Sequence, residues 1–201
     1  MCNLYRLRQS PDEVADYCDV SNGMRGANVS EHVFPGQPGA VVEGNALRQM
    51  SWGFPLTLKG KNGRPLKPKP VNNARTDKLG GAFWSSSFRD RRCLIPLSAW
   101  AEAQGEKGAK TRTWLSRPDA PIFTVAGIWR DSEEWGRVYS MIMTDADGPA
   151  ADVHARMPVL LTEDERDTWL GGNREEALAL CGPWYGELAI EATDEPWAGR
   201  R

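Results

Sequence analysis

Only two histidines, His32 and His154, and four scattered cysteines, Cys2, Cys18, Cys93 and Cys181, occur among the 201 residues. No two cysteines form a C-x-x-C pair, so the ligand spacing of a zinc site is missing and neither a metal nor a disulfide framework is expected. No cofactor is expected either. No apolar run approaches the ~18 residues that a membrane-spanning helix needs, and no charged segment followed by an apolar one opens the chain. These absences exclude the usual export and insertion signals, and the expectation is a cytoplasmic monomer in a reducing compartment, without a membrane partner.

The formal net charge of -2 hides an uneven distribution. Residues 59–92 hold ten basic residues (Lys59, Lys61, Arg64, Lys67, Lys69, Arg75, Lys78, Arg89, Arg91 and Arg92) against two acids, Asp77 and Asp90, while the remainder is acidic. Such an island is either a polyanion-binding face or a solvated loop. Nine tryptophans are many for this length. Trp52, Trp100, Trp114 and Trp129 sit in apolar segments and Trp84 in the island; most read as core, and an exposed one near the island is a candidate for stacking on unpaired bases.

Length suits one domain with a full core. Ser10-Pro11-Asp12-Glu13 carries a capping box with proline at the first helical position, predicting a helix over 11–20 with Cys18 buried on it. Strands are expected over 47–54, as one long apolar run over 94–101, over 111–116, as a hairpin of 121–130 with 136–144, and over 157–161. Gly and Pro make 56–70 an exposed loop. A helix capped by Thr162 and another over 173–181 follow, and residues from Asp194 read as a tail beyond a domain of 1–193. Hairpins without βαβ alternation give the fold class: α+β, a single domain with a curled, mostly antiparallel sheet and flanking helices.

The first two residues carry the most chemistry. Removal of Met1 before the small Cys2 exposes a 1,2-aminothiol, whose amine (about 7.7–8.0) and thiol (about 8.5) are both partly available near neutral pH. An aldehyde condenses with such an amine to an imine, and thiol addition then closes a thiazolidine. Four further polar residues interrupt apolar surroundings: Asn73 with Arg75 close behind it, Glu102 at the end of the long apolar run, and His154 before a strand. Singly, Asn73 also fits a turn cap, Glu102 a solvated strand-end carboxylate and His154 a satisfied core histidine.

As an ordered set, Met1-Cys2, Trp52-Gly53 with Pro55, Asn73-Ala74-Arg75, Arg92-Cys93-Leu94-Ile95-Pro96 with Trp100 and Glu102, Ala126-Gly127-Ile128-Trp129, and His154 through Arg156-Met157-Pro158 resemble the SOS response-associated peptidase (SRAP) family of abasic-site processing proteins. The resemblance implies Cys2 as covalent nucleophile, with Asn73, Glu102 and His154 as its companions. It implies single-stranded DNA containing abasic sites as partner, and a thiazolidine crosslink to the ring-opened sugar in the DNA damage response. In the roles this implies, Glu102, its pKa raised by desolvation, shuttles protons, His154 protonates the sugar oxygen and Asn73 holds amine or sugar. Arg6, Trp52, Arg75, Lys78, Trp84 and Arg156 are the expected DNA contacts.

Two departures stand out. The family's Met-Cys-Gly-Arg opening reads Met1-Cys2-Asn3-Leu4 here, leaving Arg6 as the expected substitute for the missing arginine, and Ala155 stands where an acid often precedes the arginine. The family's older name keeps open a thiol peptidase or lyase-like activity, and a non-covalent single-strand binding module is the other alternative. Single-use trapping is the main expectation.

Overall fold

The Ser10 side chain accepts the Glu13 amide while the Glu13 carboxylate accepts the Ser10 amide, and this capping box opens the helix Pro11–Tyr17. Asn173 and Glu176 repeat the device for Arg174–Ala179. The Glu165 carboxylate accepts the Thr162 amide (2.8 Å), yet the helix proper is Arg166–Gly171, so the expected cap closes a preceding turn. The first helix stops before Cys18, which is its half-buried C-cap. The computed structural model describes residues 2–27 and 29–197.

Hairpin Phe123–Ser132 with Gly136–Asp145 forms as its alternation implies. Its partners in order are Arg92–Leu97, Pro38–Glu43 and Ala46–Trp52, and the last returns to pair in parallel with Gly136–Asp145 through Val138↔Ser51 and Tyr139↔Trp52. Five strands thus close into a mixed barrel. Alternation sends Cys93, Ile95, Val125 and Met141 to one face of the wall and Leu94, Ala126, Ile128 and Ile142 to the other, each face with its own buried cluster. Gly39 is required where it stands, because a Cβ there would lie 2.2 Å from both hydroxyls of the buried Tyr5–Tyr139 pair.

A second sheet runs Ala189–Pro196, Thr111–Ser116, Ala99–Gln104, Tyr5–Arg6, His32–Val33. The α+β class and single domain therefore hold, with the sheet divided in two. The apolar run expected as one strand over 94–101 is split between them: Arg92–Leu97 lies in the barrel, Ala99–Gln104 in the second sheet, and Ser98 makes the crossing with its hydroxyl bonded to Gln9. Both halves are buried on both faces, which is why no alternation betrayed the break. Strand 157–161 likewise divides into Arg156–Pro158 and Leu160–Leu161. The tail expected from Asp194 is strand as far as Pro196, and Trp197 packs against Leu4, Ala99, Ala101 and Trp114. Residues 198–201 lie outside the described residues.

Arg92, counted in the basic island, is structural. It is buried, its Nη1 donates to Phe88 O (2.9 Å), and its remaining nitrogens donate to the carbonyls of Trp169 and Gly172. Arg92→Ala would strand these oxygens. It is expected to cost about 2–4 kcal/mol of stability by urea denaturation, and a loss under about 1 kcal/mol would show that water replaces the guanidinium.

Candidate functional site

The entry segment is held on the second sheet by Ala101 N–H donating to Leu4 O (2.9 Å) and by Tyr5↔Trp100 pairing. Alternation along Ala99–Gln104 puts Ala99 and Ala101 with Leu4 on the outer face and Trp100 on the inner face with Cys2. Glu102, two residues on from Trp100, falls on that same inner face. The sheet therefore delivers a carboxyl to the buried Cys2 side.

From the barrel comes Asn73–Arg75, which runs parallel to Gly136–Asp145 with Met141↔Asn73 and Met143↔Arg75. The Asn72 carbonyl accepts from Trp52 Nε1 (3.0 Å) and from Met141 N (3.0 Å), so the backbone before Asn73 is fixed on two sides. Both asparagine amides then reach the same acceptor: Asn73 Nδ2 donates to Cys2 O at 2.7 Å and Asn72 Nδ2 at 2.9 Å. Asn72 Nδ2 also donates to Asn3 Oδ1 (3.1 Å). Asn73 Oδ1 is buried and has no hydrogen-bond partner among the described residues.

His154 follows the helix Gly148–Val153 as its C-cap. His154 Nδ1 lies 3.0 Å from the Arg156 amide and 3.1 Å from the Arg156 carbonyl oxygen, so the ring is held by the Arg156 backbone. Burial raises the Glu102 carboxyl above the usual carboxylate range, with the charge of His154 among the influences that oppose it. Burial raises the Cys2 thiol far more, and the Glu102 charge adds to the rise. The fold thus gathers Cys2, Asn73, Glu102 and His154 from four separate stretches of chain. Asn72 is the member that sequence reasoning missed. Its only signal was a second amide side chain beside Asn73 in otherwise apolar surroundings.

The expected DNA contacts divide. Arg75 forms a two-pronged pair with Asp77 (Nε–Oδ1 2.9 Å, Nη2–Oδ2 2.7 Å), Lys78 lies 3.8 Å from the same carboxylate, and the Arg156 charge also reaches it. Arg156 pairs with Asp145 at 3.2 Å. These three cations form a patch beside Asn73. Arg6 does not join them: strand alternation sends it to the outer face, over Trp114 at 4.4 Å and 3.9 Å from Glu191, so it does not stand in for an arginine beside Cys2. Trp52 is fully buried between Tyr5 and Tyr139, and Trp84 is buried against Phe54 and Phe83. Neither indole is available to stack on a base, because each completes a core.

A carboxyl raised by burial weakens the fold once it ionises. Below its unfolded value of ~4.3 both states hold the proton and the penalty vanishes; it grows as pH rises towards the folded value. Glu102→Gln, which keeps the shape, is therefore expected to be more stable than the parent at pH 7 and equally stable near pH 3, by urea denaturation at both. A variant less stable than the parent at pH 7 would mean that the neighbours favour the charge.

An abasic site processing protein of Saccharomyces cerevisiae is 27% identical to this chain over 156 residues, which are 73% of this chain and 42% of that protein, so the chain spans less than half the length of that relative. The abasic site processing protein YoaM of Bacillus subtilis is 24% identical over 190 residues, 85% of this chain and 79% of the relative. Solved structures of a Bordetella bronchiseptica protein (TM-score 0.79, 21% identity, 96% of this chain and 99% of that one) and a Bacteroides thetaiotaomicron protein (TM-score 0.78, 20% identity, 95% and 91%) share the fold. The family model described as SOS response associated peptidase (SRAP) matches residues 1–193, and the chain belongs to that family.

Proposed function

We propose that this chain processes abasic sites in single-stranded DNA by trapping them covalently on Cys2. Removal of Met1, which lies outside the described residues, frees the Cys2 α-amine. The amine attacks the ring-opened sugar aldehyde, and the carbinolamine loses water to give an imine. Cys2 Sγ then bonds to the imine carbon while its proton passes to nitrogen, closing a thiazolidine with net loss of one water. The observation that carries this reading is the double amide clamp on the Cys2 carbonyl, which fixes the residue bearing both nucleophiles beside a buried carboxyl and a histidine.

Each neighbour has a role in that sequence. Glu102, raised by burial, takes and returns protons between amine, carbinolamine and thiol. His154 gives a proton to the sugar oxygen as the ring opens. Asn72 and Asn73 hold the Cys2 backbone, and the unpartnered Asn73 Oδ1 is an acceptor for the freed amine or a sugar hydroxyl. The raised thiol favours amine attack first and sulfur second. A thiol peptidase works in the opposite sense, with a thiolate of depressed pKa attacking a carbonyl. Because the thiazolidine consumes Cys2, each molecule acts once.

The test is a denaturing gel of protein incubated with an abasic oligonucleotide, with intact-mass measurement. The parent should lack one methionine and form a denaturation-resistant adduct, and Cys2→Ala should form none while keeping its affinity for single-stranded DNA. Peptide cleavage without an adduct would support the peptidase, and reversible binding alone the non-covalent module. An adduct that survives Cys2→Ala would move the chemistry to a lysine.

The patch of Arg75, Lys78 and Arg156 is the proposed phosphate seat beside the sugar. Arg75→Ala should lower affinity at low salt and flatten the plot of log affinity against log salt by about 0.7, the share of one phosphate on a single strand. Asp77→Asn should do the reverse at low salt, since it removes the carboxylate that now occupies Arg75. An unchanged slope in a folded Arg75→Ala protein would make the arginine structural.

A further inference from the structure

Beyond Gly53 the chain leaves the barrel as a two-stranded ribbon. Its base pairs Phe54–Leu56 with Lys69–Val71. Farther out Lys59 bridges Pro65, Leu66 N–H donates to Leu58 O (2.8 Å), and Gly60 N–H donates to Arg64 O (2.8 Å) at the tip, where Gly63 takes a φ of 75°. The exposed loop expected over 56–70 is therefore an ordered arm. Its root is firm: Arg130 Nη2 donates to Pro55 O (3.2 Å) with the guanidinium 4.3 Å over Phe54, and Gly53 packs so tightly on Pro70 that a Cβ would lie 2.4 Å from the ring.

Beyond its root, where Phe54 and Val71 pack into the barrel's core, the arm adds no buried residue, and its surface has an unusual composition. Leu56, Leu58 and Leu66 are 36%, 50% and 49% exposed. The Lys59↔Pro65 bridge makes Leu58 and Leu66 the next cross-strand pair, so their side chains share a face. Around them Lys59, Lys61, Arg64, Lys67 and Lys69 are all exposed, and no acid occurs anywhere from 54 to 71. Arg75 and Arg156 are each paired with an aspartate, whereas none of these five cations forms an ion pair among the described residues.

We propose that this arm is a docking surface for a nucleic-acid single strand: the lysines and Arg64 take its phosphates, and the leucine face takes the flat sides of its unpaired bases. The inference rests on the DNA reading of the Cys2 site and adds to it a second contact region. Charge complementarity fixes the polyanion. Continuity fixes which one, because Val71 at the arm's root runs directly into Asn72 and Asn73, whose amides hold the Cys2 carbonyl, so a strand lying along the arm is led to the nucleophile. An anionic lipid surface has matching chemistry, but nothing would lead it to that site.

Two variants separate the parts: Lys59→Gln/Lys61→Gln/Arg64→Gln/Lys67→Gln, and Leu58→Ser/Leu66→Ser, each checked by circular dichroism. Their affinity for an unmodified oligothymidylate is read by fluorescence anisotropy across a salt series. The charge variant should lose tenfold or more at low salt, its slope shallower by about 0.7 for each phosphate released. The leucine variant should lose several-fold at every salt with an unchanged slope, as expected of base contact. Both should form the abasic adduct at the parent's rate when DNA saturates, since the Cys2 site is intact. Unchanged affinity in both variants overturns the proposal, and loss in the charge variant alone overturns its leucine half. Parent binding to phosphatidylserine vesicles that both variants lose, with oligothymidylate affinity intact, would assign the arm to membranes. A parent that binds oligothymidylate through the arm but forms no adduct sinks the trapping reading and leaves the arm standing.

Discussion

Two side-chain amides on one carbonyl oxygen hold this site together. Cys2 precedes the first strand by several residues and would be expected to fray, yet Asn72 and Asn73 both donate to its carbonyl from the barrel side. Those amides can do so only because their own backbone is fixed, through the Asn72 carbonyl, by Trp52 Nε1 and the Met141 amide. A chain end is thereby referred to a closed barrel. The buried Trp52, which sequence reading offered as a base contact, instead serves as the peg on which the asparagine pair hangs.

Burial is the second constraint, and it acts on the thiol and the carboxyl alike. Taking Cys2 and Glu102 out of water raises both above their ordinary values, and the Glu102 charge makes ionisation of the thiol harder still. A site built this way keeps its sulfur protonated and its carboxyl ready to exchange a proton. Both features are of use in the proposed trapping reaction, in which nitrogen attacks first and protons must then be moved. The stability given up by burying Glu102 is the counterpart of that readiness.

The basic island proves to be three things. Arg92 is a core residue that satisfies backbone carbonyls. Arg75, with Lys78 and Arg156, forms a patch tempered by Asp77 and Asp145. Lys59 to Lys69 lie on a projecting arm with no acid to temper them. Local charge counts are blind to this division, because it depends on which cations the fold surrounds with carbonyls, which with carboxylates and which with water.

Much of the outline was legible from local rules. Ser10 and Glu13 announced the first helix because a capping box involves only near neighbours, and Phe123–Ser132 with Gly136–Asp145 announced a hairpin by two apolar runs around a short polar turn. Cys2, Asn73, Glu102 and His154 stood out as reactive or polar residues in apolar settings, and the ordered motifs pointed to the family that the SRAP match then showed. Tertiary structure alone decided the rest. Ser98 splits one apolar run between two sheets, an event invisible where both faces are buried. Alternation carries Arg6 away from Cys2, since a side chain's face depends on register. Trp52 and Trp84 go to the core because long-range packing, which no local pattern encodes, surrounds them. Asn72 joins the site through hydrogen bonds to Cys2 and Asn3, 70 and 69 positions away.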